Sequence, residues 1–298
     1  MITAAHRRLY WTVQPAHMHP TVVEHMRLGT ALMAETTGVA RITLARALAE
    51  SSLMAGRIEF FDLQDAGVAA DTYVRALQAA GEANDALLGA AILAHTAFIP
   101  GWAGERTRAQ ERMCAARSYA RRGRAGAEFR AWLDAVEAEC ETRCGNPRTA
   151  LNLLQHAEEV LTAESDADAA PTPEWMDWFS PIRLAAFKGN TQIRAGHYTQ
   201  ARTTLLAVLD ELPASAGKQR AVVLGDLAAV AAAQRNPEEA CEWAMQALGQ
   251  LSVTWYATGM DRVREVRTAL HPWNGHPRVT ELDDAMFGWR ATVSALQR

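Results

Sequence analysis

Cysteine is scarce in this chain of 298 residues: Cys114, Cys140, Cys144 and Cys241 are too few and too scattered for a disulfide framework. Cys140 and Cys144 lie one helical turn apart, but no nearby CxxC or HxxxH supplies further metal ligands, so they read as packing thiols. His17, His19, His271 and His276 sit beside prolines and read as loop residues. The GxSxG elbow, the glycine-rich phosphate loop, the HExxH helix and the dinucleotide fingerprint are all missing. No catalytic residue, metal site or cofactor is therefore assigned, and the chain is not read as an enzyme. A net charge of −4 lacks the basic footprint of a nucleic-acid binder, so direct DNA contact is not expected. Long apolar runs are absent too. Asp226 interrupts the longest, AVVLGDLAAVAAA, and MITAAHRRLYWTVQP has no signal-peptide core, so a cytoplasmic protein without a membrane span is expected.

What the sequence does hold is helical periodicity and alanine. At 49% hydrophobic and 21% charged it can bury a large core, and no run alternates long enough to demand a strand. Residues 184 to 213, LAAFKGNTQIRAGHYTQARTTLLAVLDELP, read as a helix with a small Gly189, a Gly196-x-Tyr198 turn, a second helix through Ala201 and a closing Pro213. That order resembles one tetratricopeptide (TPR) repeat, whose small residues let two antiparallel helices approach closely. A small residue, a bulky or apolar one four later and a small or β-branched one seven later recur at Ala69, Tyr73, Ala76; Ala109, Met113, Ala116; Ala150, Leu154, Ala157; Ala201, Leu205, Val208; and Ala240, Ala244, Ala247. Successive anchors lie 40, 41, 51 and 39 residues apart, longer than the standard repeat of about 34. The expectation is an all-α fold, an α-solenoid of degenerate TPR-like repeats in one right-handed superhelix spanning 1–298.

Paired helices are expected near 39–62 and 66–80, 83–99 and 105–122, 124–143 and 147–162, 174–195 and 198–212, and 216–234 and 237–251. Flanking helices are expected near 20–36, 253–270 and 278–297, and an exposed acidic, proline-rich connection near 163–173. Asn146-Pro147 and Asn236-Pro237 mark second-helix starts, because proline is tolerated in a first turn where its missing N–H has no partner.

Two segments stand apart from the repeats: PEWMDWFSPIRLAAFKGNT, residues 173 to 191, and TWYATGMDRVREVR, residues 254 to 267. With RIEFFDLQDA and LPASAGKQRAVVL, they resemble the carboxy-terminal TPR-like sensory region of actinobacterial phage-repressor-type (XRE) transcriptional regulators. The resemblance covers nearly the whole chain. It implies an α-solenoid, a regulatory role and an amino-terminal helix-turn-helix domain. This chain departs from that layout, since no helix-turn-helix segment is visible before His6-Arg7-Arg8-Leu9-Tyr10-Trp11.

In a TPR superhelix the first helix of each pair lines the concave face. The candidate groove residues are therefore Trp132, Glu139 and Arg143 on the third pair and Arg183, Asn190 and Arg194, in a stripe with Phe187, on the fourth. On the fifth pair Val222, Gly225, Ala229 and Ala232 are small or apolar and leave room for a cavity, whose far side Trp255, Tyr256 and Arg262 would close. Guanidinium groups with an amide and aromatic walls suit a peptide, a small anionic ligand or a protein partner. The competing reading is structural, with these arginines joined to Asp177, Glu139 or Asp226 across neighbouring helices. A constitutive TPR adaptor without a small ligand is the alternative function, and a homodimer remains open. Arginines 106, 108, 112, 117, 121, 122 and 124 form the most basic stretch, read as a solvated helix face.

Overall fold

The computed structural model describes residues 2–163 and 170–296, with side chains through Trp289. Most of the connection expected near 163–173 lies outside the described residues. Among those described the chain is helical, with no strand. Helices α1 (Ile2–Leu9) and α2 (Pro15–Glu35) precede five pairs. The pairs are α3 (Gly38–Arg57) with α4 (Ala66–Glu82), α5 (Ala86–Trp102) with α6 (Arg106–Arg122), α7 (Ala127–Arg143) with α8 (Pro147–Thr162), α9 (Pro181–Arg194) with α10 (Tyr198–Glu211), and α11 (Gly217–Ala233) with α12 (Pro237–Val253). Helices α13 (Ala257–Ala269) and α14 (Pro277–Leu296) complete the chain.

Small residues explain why consecutive helices pair. Every anchor, from Ala69 through Ala247, is at most 3% exposed. A Cβ placed on Gly56 would lie 2.4 Å from the Tyr73 ring, and one on Gly189 would lie 2.6 Å from Leu205. In both pairs a first-helix glycine thus receives the bulky residue that follows the second-helix anchor by four. The turns between paired helices each carry one residue in the left-handed region, Gln64, Gly104, Gly145, Gly196 or Arg235. At Gly196, with φ +79°, glycine takes up this conformation without the steric cost of a Cβ.

The boundaries differ from expectation at four places, the first being the helix expected near 20–36, which begins at Pro15 and so takes in His17 and His19, read as loop residues. The helix expected from 174 begins at Pro181, because Ser180 caps it by accepting the Arg183 backbone N–H at 3.3 Å. Residues 174–180 instead turn inward and bury Trp175, Met176, Trp178 and Phe179 in the core. The helix expected over 39–62 keeps α geometry to Arg57 and ends in a π-helical turn, Ile58–Asp62. Helix α1 was not anticipated, since eight residues carry too few turns for a legible period.

First helices also touch first helices, so α3, α5, α7, α9, α11 and α13 form a continuous inner row. The row returns on itself, with α13 against the turn Ile58–Asp62. Trp255 Nε1 donates to the Asp62 carbonyl at 3.3 Å and Thr258 Oγ1 to that of Phe61 at 3.2 Å. Gln14 gives its amide N–H to the Val253 carbonyl at 2.8 Å and accepts the Trp255 backbone N–H at 3.2 Å. The two ends of the inner row are clasped together.

Candidate functional site

Two cavities open along the later helices of the row, the smaller of them where the row closes. The larger, about 590 Å³, lies between α9, α11 and α13, with Ala229 and Ala232 in its floor and Arg194 and Glu265 at its edge. The smaller, about 90 Å³, is bounded by the first turns of α9, by α11 and α13, and by rings from the amino-terminal half. Asn190, Asp226 and Arg262 line both and form a common wall.

That wall is a buried charge network. Arg262 Nε lies 3.1 Å from Asp226 Oδ1 and its Nη2 3.8 Å from Glu139, with all three side chains at most 5% exposed. Asn190 Nδ2 donates to Asp226 Oδ1 at 2.9 Å, and Arg143 Nε reaches Glu139 at 3.2 Å. Burial pushes the Asp226 carboxyl above its usual range, and Arg262 and the Asn190 amide partly restore it. Burial works against the charge on Arg262, yet Asp226, Glu139 and Glu265 hold its pKa above the ordinary arginine value. Arg194, on the open side, pairs with Glu265, and both are about two-fifths exposed. Three arginines, 143, 194 and 262, thus meet three carboxylates, those of Glu139, Asp226 and Glu265.

Arg183 stands outside this balance. Its guanidinium faces the smaller cavity, lies 5.2 Å from the Trp11 ring and 5.8 Å from Phe187, and has no carboxylate within ion-pair distance among the described residues. Burial lowers its pKa from the ordinary value; Tyr256 opposes that shift and the Arg57 charge adds to it. The rest of the lining is ring-rich. Phe61, Phe98 and Trp102 pack edge to face at 5.1 to 6.0 Å, and Tyr256 closes the wall from α13.

The clasp beside the cavity is polar and sealed. Lys218 Nζ lies 2.5 Å from Asp62 Oδ1, the two at most 1% exposed, and 3.6 Å from the centre of the Tyr10 ring. Tyr10 donates its hydroxyl to Asp62 Oδ2 at 3.0 Å. Burial pushes Asp62 up and Lys218 down, and each is restrained by the other.

Of the residues expected on the groove, Glu139, Arg183, Asn190, Tyr256 and Arg262 meet around the smaller cavity, while Asn190, Arg194 and Arg262 line the larger. Arg143 stacks over Trp102 at 4.4 Å, behind the wall. Trp132 is elsewhere: it is 3% exposed in the core, against His95 and Phe129 at 5.4 Å. Helix α7 is flanked by α5, α8 and α9, so nearly every face is covered and its periodicity does not single out one. Trp255 belongs to the clasp, its ring tilted against that of Trp289 at 5.6 Å. Gly225 is roofed by Arg262, whose Cβ would sit 2.5 Å from an added Cβ. Asp177 pairs with Arg7 and with none of the groove arginines. Trp11, Phe61, Phe98 and Trp102 were not read as site residues. Their only sequence signal was clustering, in RIEFFDL and near Trp102.

The basic stretch is largely exposed, as expected of a solvated face, although Arg106 reaches the buried Glu141 at 2.8 Å and Arg117 reaches Asp134 at 2.8 Å. Cys140 is buried, its Sγ 3.5 Å from the Ala97 carbonyl, and burial pushes its thiol pKa up. No described helix is long and apolar enough to cross a membrane. A scan against protein-family models gives no match, and neither does a comparison with curated protein sequences.

Proposed function

We propose that this chain is a ligand-responsive sensory and interaction module of a transcriptional regulator, built as a TPR-like α-solenoid and binding a peptide or small anionic ligand on its concave face. The observation that carries the reading is the position of the smaller cavity. It is walled by Trp11 and Phe61 from one end of the inner row and by Tyr256 and Arg262 from the other. An occupant touching both walls favours the clasped arrangement over an opened one, and that difference in affinity is what converts binding into a change of shape. The regulatory half of the proposal rests on the resemblance of residues 173–191 and 254–267 to sensory regions of XRE-type regulators.

The adaptor reading has one observation of its own: Leu28, Leu32, Val39 and Ile42, on α2 and α3, are 38% to 81% exposed. Exposed apolar surface of this kind suits a protein partner. A thermal-shift screen of peptides and small acids against the wild type and Ala186→Phe separates the two, because Ala186 lines the smaller cavity. A sensory module gives stabilising hits that the variant loses. Hits that the variant retains, or none at all, contradict the proposal.

A further inference from the structure

Resting on that reading, we infer that the smaller cavity is a receptor site for an aryl carboxylate, a flat aromatic ring bearing one anionic group, with Arg183 as the anion clamp. Three features argue for the class. The first is charge: the lining carboxylates Glu139 and Asp226 are already engaged by Arg143, Arg262 and Asn190, so Arg183 retains an unanswered positive charge facing the space. A guanidinium offers two parallel N–H groups that match the two oxygens of a carboxylate. Arg183 also belongs to the first turn of α9, a helix end whose field favours an anion.

The second feature is the wall. Trp11, Phe61, Phe98, Trp102, Phe187 and Tyr256 surround the same space, and these rings prefer offset or edge-to-face contact with another ring. A hydrated inorganic anion would leave them facing water, whereas an aryl group covers them. The third feature is size. About 90 Å³ holds roughly three waters at about 30 Å³ each, so it limits the occupant to a single ring, part of which must extend beyond it.

The test is calorimetric titration of the full chain with benzoate and indole-3-carboxylate, beside the neutral benzamide and the ring-free acetate. The inference expects the carboxylates to bind at least tenfold tighter than benzamide and than acetate. Arg183→Met should lose at least tenfold for benzoate and little for benzamide, while melting at the same or a higher temperature because a half-buried charge without an ion-pair partner is gone. Arg183→Lys should fall between, keeping the charge and losing the fork. Should benzamide bind as well as benzoate, with both displaced by Ala186→Phe, the anion assignment is overturned and the cavity reading of the previous section survives. Peptides binding where no aryl acid does would overturn the ligand class alone. If no compound or peptide in the wider screen binds, this inference and the proposed function fall together.

Discussion

Lys218 of α11 and Asp62 of the turn after α3 are joined across the closure of the inner helix row by a 2.5 Å ion pair from which solvent is excluded. Removing one partner leaves the other buried and uncompensated, so Lys218→Met is expected to cost about 3–5 kcal/mol in urea unfolding. Replacing both, as Asp62→Asn with Lys218→Met, should recover a large part of that loss. A loss in the double variant equal to the sum of the two single losses would mean that the pair contributes nothing as a pair.

Gly189 sets the approach of α9 to α10. Leu205 is fully buried and cannot move aside, so Gly189→Leu is expected to cost on the order of 1–3 kcal/mol by overpacking. An unchanged thermal midpoint would show that the two helices can separate freely.

The arginines at the common wall should differ by burial. Arg194→Ala removes an exposed pair with Glu265 and is expected to change stability by less than about 1 kcal/mol. Arg262→Ala strands the buried Asp226 and is expected to cost about 3–5 kcal/mol. Denaturant unfolding of the two variants side by side checks the ranking, and a reversed order would contradict the network.

His95 is buried among Tyr73, Phe98, Trp132 and Trp178, and burial lowers its pKa from 6.5 to about 3. Its folded value lies below its unfolded one, so the neutral ring favours folding fully above pH 6.5. That contribution is lost as pH falls from 6.5 towards 3. His95→Gln should therefore show a shallower decline in stability between pH 6.5 and 4 than the wild type, by chemical denaturation at each pH. Parallel slopes would place the acid sensitivity in other groups.

The helical pairing was legible in the sequence because it is written in local spacing. Ala201, Leu205 and Val208 share one face of a helix, and burying that face needs only the neighbouring helix. Ser180-Pro181 is equally local, and a cap at that point outweighs the helical propensity of residues 174–180. Arg183, Asn190 and Arg262 were readable as candidates because charge and amide at helical spacing on first helices are unusual. Trp11, Asp62 and Lys218 were not. Each is brought to the cavity or the clasp by closure of the row, and contacts across most of the chain leave no period in the sequence. Trp132 shows the reverse limit: on a helix covered on nearly every side, an aromatic residue points into the core whichever face it occupies.

The central claim is that occupancy of the smaller cavity and closure of the clasp are one event. Hydrogen–deuterium exchange over residues 10–14 and 253–258, with and without saturating benzoate, measures it most directly. The account predicts slower exchange in both segments when benzoate is bound, and no change in Arg183→Met at the same concentration. Binding that leaves both segments exchanging as before, or equal protection in the variant, would contradict it.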